Sequence, residues 1–244
     1  MVLPVQQVDR FYSVWKPLLF FANEQRRLSP SLLGADMKTP LPVEEVLKIR
    51  DAIWEDVSLL RDFIDQNPAS LPPEGLGLAR DWFNFRKGTF FIFKHLKKHS
   101  VFIDDRKEPK VYAVKGLYNT FEEVIPAPPP ILVQAVLLPY ENEITYDGIV
   151  APYNVSFGSG IRGNLKSIYA DAKELGEIIT SLISGEADSP ERQAIKAATT
   201  NAKVLADFTR HLYRSGLSPK IVERDTANIT AFSQNYLLSL PKQF

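Results

Sequence analysis

The hydrophobic period of this chain changes twice, and that constrains its fold more than any other feature. Up to Phe85 the apolar residues recur at three- and four-residue steps. From Gly88 to Phe157 they alternate, or cluster in short runs rich in Phe, Val and Ile. Beyond Gly163 the three- and four-residue steps return. A 3.6-residue period marks the buried stripe of a helix, and a two-residue period marks the buried face of a strand. Helices, then strands, then helices is the order of an α+β protein. The expected architecture is a set of N-terminal helices, a small central antiparallel, barrel-like β unit, and C-terminal helical hairpins. Many short strands in so little chain need a strongly bent sheet or partial barrel. The expected segments are 1–86, 87–160 and 161–244, with one integrated domain as the alternative. A chain of 244 residues is long enough for either.

In the first segment a helix is expected from Asp9 to about Arg27, kinked or restarted at Pro17. A second should run from about Val43 to Gln66 and end at Asn67-Pro68, because the residue before proline disfavours helix. A short third covers Glu74 to Phe85. Strands are expected at Thr89–Phe93, Ser100–Ile103, Val111–Val114, Ile131–Leu138, Glu143–Tyr146, Ile149–Val150 and Tyr153–Phe157, with helical turns near Tyr118–Ile125. Asp147-Gly148 reads as a tight turn between two of them. In the last segment a stripe from Leu165 to Leu182 stops at Gly185. Ser189-Pro190-Glu191 starts a helix that ends at Gly216, and Ser218-Pro219 starts the last one.

Composition narrows the function classes. Lys plus Arg and Asp plus Glu both number 29, so whole-chain charge argues for neither nucleic acid nor membrane. Charge is nevertheless blocked: nine acids against four bases from Asp36 to Glu74, then ten bases against four acids from Arg80 to Lys115. These blocks read as solvated faces of opposite sign that can face each other, with a local anion-binding surface as the functional alternative. The absence of cysteine excludes disulfides, Cys-ligated zinc, Fe–S clusters and thiol catalysis. No apolar run approaches the roughly 20 residues that span a bilayer. Met1 to Gln7 lacks the pattern of a signal peptide, so a cytoplasmic location is expected.

The glycine run Gly158-Ser159-Gly160-Ile161-Arg162-Gly163 spells G-x-G-x-x-G between an apolar-alternating stretch and a helix. A dinucleotide fold needs a second strand after that helix, and none is expected here. A phosphate loop of the Gly-Lys-Ser/Thr type is missing too. What remains is an anion site made of helix-start N–H groups with Ser159, Gly160, Arg162, Gly163 and Lys166. The structural alternative is that the glycines only turn the chain and allow close packing. A second candidate surface lies upstream. Phe90, Phe91, Phe93 and Phe102 interleave with basic residues, giving Arg86, Lys87, Lys94, Lys97 and Lys98 as nucleic-acid-binding candidates. The same pattern arises on a half-buried strand with Phe inward and Lys outward.

Other chemistry is weaker. His95 and His99 stand four apart but fall in strand-and-turn sequence among lysines, which suits surface histidines better than a metal site. Asp104-Asp105 with Glu108-Pro109-Lys110 distantly resembles a nuclease acid set, but reads as a hairpin loop. No G-x-S-x-G elbow and no triad occurs. No catalytic residue, metal or cofactor is expected.

The segment Leu137-Leu138-Pro139-Tyr140-Glu141-Asn142-Glu143-Ile144-Thr145-Tyr146-Asp147-Gly148, with Phe157-Gly158-Ser159-Gly160-Ile161-Arg162 and the aromatic stretch Phe11–Leu19, resembles a block shared by uncharacterised bacterial proteins. That resemblance implies a bacterial cytoplasmic protein and brings no activity, cofactor or site residue. The functional expectation is a non-enzymatic binding or adaptor protein that recognises a protein or nucleic acid through its β unit. The alternative is an enzyme acting on a phosphorylated or nucleotide ligand at Gly158–Gly163.

Overall fold

A computed structural model describes residues 1–34, 42–183, 205, 206 and 208–232. Packing divides the chain into two units: residues 1–172 with 178–187, and residues 173–177 with 188–244. The protein is α+β. The expected boundaries at 86 and 160 do not divide the packing, because residues on both sides of 86 share one core and the helix after 160 joins the first unit.

Helix α1 spans Val5–Arg26 and runs unbroken across Pro17, which is buried inside it. Proline costs about 3 kcal/mol in a helix interior. Burial of Val14, Trp15, Leu18 and Leu19 on both sides of it offsets that cost, at about 1.5–3 kcal/mol per large apolar side chain. Trp15 stacks on Trp54 at 5.6 Å and meets Trp82 edge-on at 5.7 Å. The single expected helix 43–66 is two, α2 (Val43–Glu55) and α3 (Ser58–Gln66). Asp56 makes the break. Its carboxylate accepts from the Ser58 N–H at 3.1 Å, two residues on and just past the Val57 N-cap, and pairs with Arg26 of α1. Helix α4 covers Pro73–Asp81 and a 3-10 turn covers Trp82–Asn84.

Five strands follow: β1 (Arg86–His95), β2 (Ser100–Asp104), β3 (Val111–Val114), β4 (Ile131–Tyr140) and β5 (Glu143–Pro152), with a short capped helix α5 (Phe121–Val124) between β3 and β4. They close into a barrel in the order β1-β2-β3-β5-β4. The expected all-antiparallel unit is corrected at one seam, where β3 and β5 pair parallel through Val114 and Ile144. The reason is arithmetic: strands around a closed barrel of odd number cannot all alternate in direction. Phe90, Ile92, Phe102, Val114, Val133 and Ile144 belong to the main core, which continues into α1–α4.

Asp147-Gly148 is not a turn between strands. Both residues lie inside β5, opposite a register shift in β4 between Ala135 and Leu137. Gly148 takes φ +92 there, so the turn-like dipeptide serves a bulge instead. Tyr153–Phe157 forms no strand, although the Tyr153 N–H still reaches the Leu132 carbonyl at 2.9 Å.

Helix α6 spans Ser159–Glu174 rather than reaching Leu182. Leu165, Ile168, Tyr169 and Ala172, at i, i+3, i+4 and i+7, pack on the outer face of β1–β3 through Phe91, Phe93, Val101, Ile103 and Val111. Ile179 then returns to the free edge of β3: its N–H donates to Val111 and its carbonyl accepts from Ala113, at 2.8 and 2.9 Å. A single strand-like residue thus follows α6 where none was expected.

In the second unit, residues 208–214 are helical, Gly216 turns at φ +76, and Pro219 begins α7 (Pro219–Phe232). The Ser218-Pro219 start signal therefore stands, and Thr209 meets Thr226 at 3.2 Å across this hairpin. The signals at Gly185 and Ser189-Pro190-Glu191 lie outside the described residues. No helix among the described residues is long and apolar enough to cross a membrane.

Candidate functional site

The glycine run sits differently from its expectation. Because α6 starts at Ser159, Gly160 and Gly163 are residues of the helix and not of a loop before it. None of Gly158, Gly160 and Gly163 has a positive φ, and a Cβ added to any of them meets nothing within 4 Å. They therefore neither turn the chain by a left-handed conformation nor allow close packing. Ser159, Gly160, Arg162, Gly163 and Lys166 are all exposed. The Arg162 guanidinium is steadied by two backbone carbonyls, donating from Nε to Phe157 at 3.1 Å and from Nη1 to Pro129 at 3.4 Å.

The basic candidates separate into two groups at opposite ends of β1. Arg86 donates to the carbonyls of Asn84 and Phe85. Lys87 reaches Asp51 at 3.9 Å and Glu55 at 3.5 Å on α2, so the acidic and basic blocks do meet here. Lys94 is at the far end, with Nζ 3.8 Å from the centroid of the Tyr169 ring on α6. Lys97 and Lys98 are exposed in the β1–β2 turn, which the Leu96 N–H closes onto the His99 carbonyl at 2.9 Å.

The interleaved aromatics divide by strand alternation. Phe90 and Phe102 point into the barrel, their centroids 6.1 Å apart. Phe91 and Phe93 point outward but are half-buried, against Phe157 at 5.3 Å and Tyr169 at 5.6 Å. The outer face of β1–β3 is therefore occupied by the chain's own helix.

His95 and His99 flank the same turn. His95 Nδ1 pairs with Ser100 Oγ at 2.8 Å, while Nε2 of both rings is buried and unpartnered. Burial lowers the pKa of each, against the pull of Glu122 for His95 and reinforced by Lys115 and Lys98 for His99. Among the described residues no group of three His, Cys, Asp or Glu side chains is placed to hold a metal ion. Asp104 closes the β2–β3 hairpin, accepting from Arg106, from Tyr112 Oη at 3.1 Å and from the Lys110 N–H at 2.9 Å. The hairpin reading of Asp104–Lys110 is the correct one.

One polar cluster escaped the sequence reading. Asp147 is only 1% exposed and Arg50 only 4%. Asp147 Oδ2 accepts from Arg50 Nε at 2.5 Å and from Trp54 Nε1 at 2.9 Å, while Oδ1 accepts from the Ile149 N–H at 3.2 Å. Burial pushes the Asp147 carboxyl above its ordinary range; Arg50, Ile149 and Trp54 pull it back. Neighbouring Tyr12 is raised to about 12, first by burial and then by Tyr118 and Asp147, and Tyr146 is raised for the same first reason. Arg50 and Trp54 thereby clamp α2 to β5. The one sequence signal was Arg50 itself, which borders the apolar stripe of α2 beside Ile49 and Ile53.

The chain matches no protein-family model, no curated protein and no solved structure.

Proposed function

We propose that this protein is a non-catalytic binding module that recognises its partner through the β barrel and its β1–β2 turn, with nucleic acid as the partner its charges favour. The observation that carries the reading is the strand order β1-β2-β3-β5-β4 with Lys97 and Lys98 exposed on the β1–β2 turn. By analogy of topology alone, it corresponds to the five-stranded Greek-key barrels that bind oligonucleotides and oligosaccharides. Those barrels use the β2–β3 face and the β1–β2 and β4–β5 loops. Here α6 takes the first surface, and the β4–β5 turn is tied to α1 by Arg10 and Gln7 on Glu141. The β1–β2 turn remains open. Against catalysis stand the ionisable groups of the interior: Asp147 is sealed, and Tyr12, titrating near 12, is no base at neutral pH. An enzyme site at Gly158–Gly163 has less support, because the glycines face open space.

The test is a fluorescence anisotropy titration with labelled single-stranded RNA and DNA of about 20 nucleotides, longer than the ~4–16 one such barrel covers. Wild type should bind at low salt, and Lys97→Glu/Lys98→Glu should bind at least about tenfold more weakly. Equal binding by both proteins would take the partner off the barrel turn and refute the reading.

A further inference from the structure

Two stretches of this chain contain no carboxylate: Arg86 to Ile103 and Gly148 to Ala170. The fold lays one on the other, with α6 seated on β1 and β2. Each cation they bring to that face lacks an acidic neighbour on its own element. Arg162, Lys166 and Tyr169 are spaced i, i+4 and i+7, so they fall within about 60° of one another around the helix. Asp171, two residues past Tyr169, lies roughly 200° further round. Lys94 rests on the Tyr169 ring at 3.8 Å, and Lys166 stands about one helical turn before Tyr169 on α6. Lys97 and Lys98 continue the line in the adjoining turn, whose Leu96 belongs to the same apolar cluster as α6. Among the described residues none of these five cations forms an ion pair, whereas Lys87 and Lys115 are both taken by acids.

We infer that Arg162, Lys166, Lys94, Lys97 and Lys98 form one track for the phosphate backbone of a single-stranded nucleic acid, running along the flank of α6 and the adjoining end and turn of β1 instead of over the sheet face that the helix covers. The inference rests on the binding-module reading above and names its surface. The geometry sets the mode of recognition. Phe91 and Phe93 are covered, and Lys94 already occupies one face of Tyr169, so base stacking contributes little. Charge does the work, and charge does not read sequence. The stretch from Arg162 to Tyr169 rises about 10 Å, and the β1–β2 turn adds a similar length. A line about 20 Å long suits a few successive phosphates of one strand.

The magnitude follows from counterion release. For single strands the slope of log affinity against log salt is about −0.7 per phosphate contacted, so five contacts give about −3.5. Affinity should then fall about a hundredfold between roughly 50 and 200 mM salt. Two α6 variants, Arg162→Glu/Lys166→Glu and the milder Arg162→Ala/Lys166→Ala, are compared with a control reversal, Lys16→Glu/Arg61→Glu, at exposed positions on α1 and α3. All four side chains are exposed, but Arg162 also donates to the Phe157 and Pro129 carbonyls, so circular dichroism and thermal melts check that α6 stays seated in its variants. The expected result is a salt slope shallower by about 1.4 in both α6 variants, with at least about tenfold weaker binding at low salt and no preference among base compositions. If the α6 variants match the control while Lys97→Glu/Lys98→Glu loses binding, the track is overturned and the binding module stands. If wild type binds neither strand at about 25 mM salt, the track and the nucleic-acid reading fall together.

Discussion

Replacing Asp147 with asparagine tests whether the helical part and the barrel are held as one unit. Asp147 is fully enclosed and receives donors from three places: Arg50 and Trp54 of α2, and the Ile149 backbone of its own strand. Asparagine keeps the shape but loses the charge, and its amide group presents N–H against N–H at one of the donor positions. Arg50 is then left buried, with only its Nη1 contact to Asp51 at 3.0 Å, and Asp51 is half in solvent. Removing one member of a buried ion pair costs about 3–5 kcal/mol, since the other charge stays desolvated and unpaired. That is a large part of the ~5–15 kcal/mol that holds a domain together. The three tryptophans, Trp15, Trp54 and Trp82, all lie in the first unit, so urea unfolding followed by tryptophan fluorescence reports on that unit. Asp147→Asn should lower the midpoint strongly at an unchanged m-value. The double variant Arg50→Met/Asp147→Leu removes both charges together and should lose less than the single one. A loss below about 1 kcal/mol for Asp147→Asn would show that the pair does not carry this junction.

Gly163→Ala should stabilise the protein by about 0.5–1 kcal/mol, read as a higher thermal midpoint, because the residue is helical and faces empty space. Gly148→Ala should cost about 1–3 kcal/mol by the same measurement, because φ is +92 and the new Cβ would sit 3.3 Å from the Tyr12 hydroxyl. His95 and His99 are both lowered in the folded state from the ordinary 6.5, so the unfolded chain takes up protons first as pH falls. The stability they contribute is present above about pH 6.5 and is lost as pH drops toward their folded values. Thermal melts across that range should show this slope in wild type, and His95→Gln/His99→Gln should flatten it.

The helices α1 to α4 and the five strands were largely legible in hydrophobic period. What the period does not encode is where one residue overrides it. The apolar stripe runs straight through Asp56, and only the bond from the Ser58 N–H and the partner Arg26 turn that position into a break. Asp147-Gly148 has turn chemistry, yet a bulge makes the same demand for positive φ in the middle of a strand. Arg50 and Asp147 are separated by 97 positions, and nothing local marks either as the other's counterion. In sequence, Arg162 and Lys166 read as one site and Lys94, Lys97 and Lys98 as another. Only the packing of Tyr169 under Lys94 joins them.

The run Phe90-Phe91-Ile92-Phe93 is continuous rather than alternating, and a strand with apolar residues on both sides is buried on both faces. Its inner face fills the barrel; its outer face needs a cover, and α6 supplies one. Whether that cover is a fixed wall or a lid over a stacking platform is decided by Leu165→Ala. Leu165 is the buried centre of the contact, and its truncation should cost about 2–5 kcal/mol. The anchors beyond it argue for a wall: Arg162 holds the start of α6 to the Pro129 carbonyl, Ile179 is bonded into the edge of β3, and Leu182 enters the main core. A wall predicts a lower thermal midpoint and single-strand affinity that stays level or falls, since the cations lose their support. A lid predicts the same lower midpoint but a higher affinity, because loosening α6 would bare Phe91 and Phe93 to bases worth about 1–3 kcal/mol each in stacking. A rise in affinity on Leu165→Ala would therefore refute recognition by the charged flank alone and move it to the sheet face under α6. With the wall in place, α6 covers the outward aromatics of β1 and leaves the cations of its own flank and of the β1–β2 turn exposed beside them. That coverage is why a chain whose strand sequence suggests stacking should bind through phosphates alone.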